Sequence, residues 1–422
     1  MIRAVLGTFR RKDEAPPPWS FVVAVLVGGL IARLVAIAAY RYGGDDLTVY
    51  TYFSRLLLNG QNPFDAPEAG AVDPVYADNP TGELGLFAAV LQIYDSRTAL
   101  RLFFVVADLT TVLTVAFLFR RPMWWRAHLM LLLAFNPFIL VRWHFYGADK
   151  TVLFLWITLL IAFLEQERHA LAWTATTILG ILKWMSAYIV LPLAAFTASR
   201  RGPGRALLAV ALSFLAVAVT TIPFFPDSLD PWHHRQDRLD HRPDHESVTR
   251  LLDAVGLWDP LIVKIFVPAA LIAIFVLFVV DRIDIREAVV LSLAASLILL
   301  PDITRTEFIA VPFLLIMRLT RRRLAAIWVA AALSAVATVG ASNKASTLPF
   351  SSILERLFDS TEYEGSLFYV FVINLFLFVV IALYAADRLR GRVDVELSHD
   401  LRFHPPGGAA RRPDPTVAAA LD

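Results

Sequence analysis

The chain has 422 residues, 57% of them hydrophobic and only 18% charged, with a formal net charge of +2. No soluble domain of this size needs so much apolar surface, and the repeated long apolar runs place the chain among polytopic membrane proteins. The near-neutral charge gives no reason to invoke nucleic acid, and the lack of cysteine excludes disulfides, thiolate catalysis and cysteine metal sites.

Residues 1–19 read as a basic cytoplasmic arm, with Arg3, Arg10, Arg11 and Lys12 ahead of Pro16-Pro17-Pro18. A first span over about 20–40 carries Arg33 and lacks a small-residue cleavage site, so it reads as a retained span. The loop 41–79 holds Asp45, Asp46, Asp65, Glu68, Asp73 and Asp78 against Arg41 and Arg55, which places it outside. Within it, 47–58 reads as a helix on the membrane surface. Thr48, Thr51 and Arg55 form one face, and Leu47, Tyr50, Phe53 and Leu57 form the other. Asn59-Gly60 stops it.

Residues 82–94 are apolar but short for a crossing and read as re-entrant or interfacial. The span 98–119, with Arg101 and Asp108 inside it, leads to a basic inner loop at 120–126. Spans 127–142 and 151–164 flank an outer loop at 142–150. The stretch 170–198 is too long for one straight span and reads as two short helices meeting near Lys183 on the outer side. Span 206–223 leads to a long outer loop, 224–258, where 247–257 forms a second surface helix capped by Ser247. Spans 260–280, 287–300, 306–318, 325–341 and 366–386 follow, and 387–422 is a basic cytoplasmic tail rich in Pro and Gly. The expected architecture is an all-α polytopic bundle of about 12 crossings over 20–386, as a single transmembrane domain.

This topology puts Asp45, Asp46, Arg142, His144, Asp149, Lys150, Lys183, Asp302, Arg305 and Glu307 on one side. Charges at membrane depth cost about 2.5–3.5 kcal/mol each, so they pair or line a polar cavity. A cavity rich in Arg and Lys suits a phosphate-bearing ligand. An acidic pair at its rim suits a general base.

The run Asp46 to Tyr50, followed by Leu57 to Phe64 (L-x-x-G-Q-N-P-F), resembles the first outer loop of the GT-C superfamily of polyprenyl-phosphate-sugar-dependent glycosyltransferases. It is most similar to the branch containing the GPI first-mannose transferase and the bacterial integral-membrane α-mannosyltransferases. That branch has an aspartate four residues before an aromatic, then a Gly-x-x-Pro-aromatic turn. Asp46, Tyr50, Gly60, Pro63 and Phe64 stand at those positions. Asn136-Pro137, then Gly147 and Asp149, then Gly180 and Lys183 follow in the branch's order. Two stretches depart from the pattern. The branch's Tyr-x-Tyr-Pro-Pro-Leu-like entry is YADNPTGEL here, and Asp46-Leu47-Thr48 lacks the second acid of D-x-D.

The resemblance implies a GT-C-like bundle in a bacterial plasma membrane, active on the extracytoplasmic face. It would transfer a sugar, mannose by analogy, with inversion from a polyprenyl-phosphate donor to a hydroxyl of a glycan or glycolipid acceptor. Asp46 would be the general base, with Asp45 the alternative. Lys183, Arg142, Arg305 and Lys150 would meet the donor phosphate. Asp149, His144, His233 and His234 would contact acceptor or sugar. No cofactor is assigned, and a divalent metal stays an open alternative without support from a D-x-D motif. The histidines at 233, 234, 241 and 245 lack metal-ligand spacing and fit a loop closing over acceptor.

Plainer roles stand beside these. Asp46 is also placed to cap the helix after it. Lys183 is placed to snorkel from a broken helix. Arg142 and Lys150 are placed to decorate a loop, and Arg101 and Asp108 to pair across helices. Two other function classes remain: a transporter or flippase of a lipid-linked substrate, and a non-catalytic membrane partner in envelope glycan synthesis.

Overall fold

The computed structural model describes residues 16–39, 45–65, 80–145, 147–225, 227, 243, 247–299, 306–340, 367–389 and 401–403. Every regular element among them is a helix. The first, α1 (Trp19–Ala39), has 21 residues and spans about 31 Å, the thickness of a bilayer core. Its Val23, Val27, Ile31 and Val35 are exposed, while Val22, Val25, Gly29 and Arg33 are buried. A broad apolar face turned outward suits lipid as the solvent.

Helix α2 (Asp45–Leu58) packs along α3 (Thr81–Ile93), at one end of the molecule. The 13 residues of α3 reach only about 20 Å, too short to cross. Helix α4 (Arg97–Leu118) starts where Ser96 Oγ accepts the Ala99 amide. Helix α5 (Met123–Phe135) stops at Asn136, whose Oδ1 accepts the amides of Phe138 and Ile139. Pro137, at the first position of the new turn, needs no amide partner there. The chain then widens into the π-helical segment Leu140–Phe145.

The hub is α6 (Lys150–Glu165), buried along nearly its whole length between α4 and α7 (His169–Lys183). After α7 the chain turns at Trp184, φ +55°, into α8 (Ser186–Arg201). The two expected short helices are therefore present, and Lys183 ends the first. Helix α9 (Pro203–Thr221) leans on α7 and α8 and buries only Ala206 and Ser213.

The second half runs through α10 (Thr249–Ala254), α11 (Pro260–Val279), α12 (Ile285–Leu297), α13 (Thr306–Leu314) and α14 (Arg321–Gly340) to α15 (Leu367–Ile373) and α16 (Leu375–Leu389). Helices α15 and α16 bend by 61° at Asn374. Ser334 of α14 supports the bend: its hydroxyl donates to the Val372 carbonyl and accepts the Phe376 amide. Such bends persist in apolar surroundings when a side chain satisfies the freed backbone groups.

Among the described residues, six helices are long and apolar enough to cross a membrane, counting Met123–Phe145 as one, or seven if α15 and α16 form one span, so the expected count of about twelve is met only in part. The other helices have 16 residues or fewer, and at about 24 Å the longest of them falls short of the ~30 Å hydrocarbon core. The multi-pass membrane class stands on those long helices. Ser247 does not cap a helix over 247–257: its hydroxyl bonds that of Thr249, and the helix covers only Thr249–Ala254.

Candidate functional site

The opposite ends of α6 define two polar regions. Asp149 and Lys150 lie at its start and Glu165 at its end, roughly 24 Å away. Helix α7 runs back from the Glu165 end, so its last residue, Lys183, returns to Asp149 at 3.6 Å. Lys183 also meets Glu83, in the first turn of α3, at 2.9 Å. Lys150 pairs with Asp149. Two carboxylates and two ammonium groups thus form one buried tetrad: Glu83, Asp149, Lys150 and Lys183.

Two glycines let the elements meet. A Cβ on Gly82 would stand 2.2 Å from Ile181 Cγ2 and 2.8 Å from the Ile181 carbonyl oxygen, so only glycine lets α3 approach the end of α7 this closely. Gly147 has φ +78°, and a Cβ there would stand 2.5 Å from Leu47 Cδ1. Leu47 follows Asp46 directly. The first turn of α2 is therefore pressed onto the turn that leads into Asp149.

Asp46 is half-buried, and the Tyr50 hydroxyl donates to its Oδ2 at 3.5 Å. The Tyr50 ring is fixed between Phe87 and Phe104, at centroid distances of 5.0 and 6.5 Å. The Asp-x-x-x-Tyr spacing is one helical turn, which makes the pairing a direct consequence of the sequence. Helix α2 begins at Asp45, so Asp46 lies inside the first turn rather than capping 47–58. Asp45 shares that turn.

Burial dominates the electrostatics. It pushes the Glu83 carboxyl up to about 8, against the opposing pull of Lys183. Burial also opposes ionisation of Asp149, but Lys150 and Lys183 outweigh it and hold that carboxyl well below the usual carboxylate range. At neutral pH Glu83 is then a carboxylic acid and Asp149 a carboxylate, while burial lowers Lys150 from the usual ammonium range against the opposing pull of Asp149.

The remaining candidates divide. Arg142, in the π-helical segment, faces Glu307 of α13 at 3.7 Å and lies over the Phe138 ring. His144 is 1% exposed and its Nε2 binds Asp108 Oδ2 at 2.8 Å, while Arg33 Nε donates to the same oxygen at 2.9 Å. His144, expected among acceptor contacts, joins α1, α4 and the π-helical segment through this shared oxygen. Asp149, also expected there, is 0% exposed and is turned to the two lysines. Arg101 donates to the His144 and Phe145 carbonyls, so Arg101 and Asp108 each pair with other segments as expected. Thr51, expected on a polar outer face, is buried and its hydroxyl returns to the Leu47 carbonyl. Arg305, His233 and His234 lie outside the described residues, as does the Asp45 side chain.

Glu83 is the member missed from sequence. Its signal was available: it is the one charge in an otherwise uncharged apolar helix, in the first turn after Pro80. Among the described residues no group of three or more His, Asp or Glu could hold a metal ion. Comparison with known families, curated proteins and solved structures finds no match.

Proposed function

We propose that this protein is a membrane glycosyltransferase of GT-C type, with about twelve crossings. It would move a sugar, with mannose the first candidate, from a polyprenyl-phosphate donor to a glycan or glycolipid hydroxyl on the extracytoplasmic face. The observation that carries this reading is the convergence of Asp46 and the Lys150–Lys183 tetrad at one end of the bundle, joined by the Leu47–Gly147 contact.

The chemistry follows from the charges. A polyprenyl-phosphate sugar is a phosphodiester with one negative charge. With Glu83 protonated the lysines face one carboxylate instead of two, and Lys183 and Lys150 are only 7% and 10% exposed in their side chains, where a cation is worth more than in water. As the acceptor oxygen attacks C1, Asp46 takes its proton. The C1–O bond to phosphate breaks with its electron pair on the phosphate, and the two ammonium groups stabilise the charge that grows there. Tyr50 orients the base. The Arg142–Glu307 pair is a second cation source on the same segment of chain as Asp149.

A transporter reading has one observation in its favour, the Arg33–Asp108–His144 group inside the bundle. Those side chains are no more than 1% exposed and bound to each other, which suits packing better than a path. The test is to incubate membranes containing the protein, or its Asp46→Asn variant, with labelled polyprenyl-phosphate mannose. Labelled product from wild type alone supports the reading. Equal product from a folded Asp46→Asn variant overturns the base, and no consumption of any polyprenyl-phosphate sugar overturns the class.

A further inference from the structure

A cavity of about 800 Å³ opens at the other end of α7, far from Lys183. It lies between the first half of α7, the end of α8 and the start of α9. Its mouth carries Arg168, Arg201 and Arg205 against a single acid, Glu167. Arg201 and Arg205 are exposed and make no ion pair among the described residues. Burial, and then Arg201 and Arg200, hold His169 down to about 4, so its ring is uncharged at neutral pH and the positive charge at the mouth comes from the arginines.

Below the mouth the walls become apolar, although several are Ser or Thr. The Thr177 and Ser213 hydroxyls bond each other at 2.6 Å, and Thr197 accepts the Trp173 indole N–H at 2.9 Å. These polar atoms are satisfied within the protein and offer little to a sugar or a base. Ile178 and Leu208 complement them. The outer wall, α9, is a candidate span with only 6% of its length buried. The cavity is therefore flanked by the surface that the bilayer covers. From His169 to Ile178 it follows α7 for about 14 Å.

We propose that this cavity binds one anionic phospholipid, with its phosphate held by Arg168, Arg201 and Arg205 and an acyl chain lying between α7 and α9. A guanidinium fork is suited to a phosphate, and the cavity's long apolar part is suited to a chain. Basic pockets between membrane helices are known to select anionic head groups. The site stands independently of the transferase reading.

The test uses the full-length protein in nanodiscs of phosphatidylcholine, titrated with phosphatidylglycerol and read by native mass spectrometry after release. The expected result is one retained phosphatidylglycerol per chain. Arg201→Glu with Arg205→Glu should weaken it about ten-fold or more, since two surface cations are reversed. Ala209→Trp, which fills the apolar wall without touching charge, should lower retention as well. Millimolar inorganic phosphate should not displace the lipid. Unfolding temperature in detergent checks that both variants fold, and both changes sit on exposed or half-buried positions. Equal retention of phosphatidylcholine, unchanged retention in both variants, or displacement by inorganic phosphate alone would overturn the proposal.

Discussion

The two ends of α6 handle buried charge in different ways. At the Glu165 end the cations are arginines. Glu165 accepts the Arg120 amide at 3.2 Å, Arg121 Nε at 2.9 Å and Arg286 Nη1 at 2.7 Å. Arg286 also forks onto Asp284, which forms a capping box with Glu287 at the start of α12. Glu287 in turn holds Tyr384 and Arg388 of α16, and Arg323 pairs with Asp387. Rigid guanidinium forks lock α6, α12, α14 and α16 together. At the Asp149 end the cations are lysines, point charges on flexible stems, and one contact is as long as 3.6 Å. One end is built to stay fixed. The other can rearrange at small geometric cost.

That contrast can be broken by substitution. The largest expected effect is Asp46→Asn, which should lower transfer by about 10²–10⁴-fold with unfolding unchanged, because it removes the base alone. Lys183→Gln should cost about 10²–10³-fold in kcat/KM for the donor, measured on membranes with the protein level matched. At the opposite end, Glu165→Gln removes the carboxylate from Arg121 and one of the two carboxylates from Arg286 and should cost about 3 kcal/mol of stability in detergent unfolding, while the donor KM of the folded fraction stays constant. An altered KM there would mean the two ends are not separate.

Smaller effects sharpen the geometry. Gly147→Ala meets both φ +78° and Leu47, and should cost about 1–3 kcal/mol while pushing Asp46 off the tetrad, so activity falls further than stability does. The mildest is a pH effect. Ionisation of Glu83 as pH rises through about 8 adds one negative charge beside Lys183. The donor KM should therefore rise several-fold above pH 8 in wild type, and stay flat in Glu83→Gln, which mimics the protonated acid. A rise of equal size in Glu83→Gln would assign the titration elsewhere.

Much of this was legible in the sequence. Hydropathy runs placed nearly every helix within a few residues, including the break at Lys183, because apolar periodicity and helix stops act locally. The Asp46–Tyr50 pair was readable as one turn of helix. The expectation of about twelve crossings was not resolved, because an apolar run of 13–16 residues looks alike whether it spans, re-enters or lies buried between other helices. Glu83 stayed hidden for a related reason: one acid at the start of an apolar helix gives no hint of which cation it meets.

Hydropathy and spacing are enough to place this chain in a membrane, to make it helical, and to show which charged residues stand near the ends of its helices. Which of those charges meet is set by the packing of the helices. Lys183 and Glu83, a hundred residues apart in the chain, are joined because Gly82 lets α3 touch the backbone of Ile181. Asp149 and His144, two polar residues of one short loop, are assigned to a tetrad and to Asp108 because a π-helical turn and a left-handed glycine aim them in different directions. Buried charge must find partners, but composition and spacing leave the choice of partner open, and helix packing makes it.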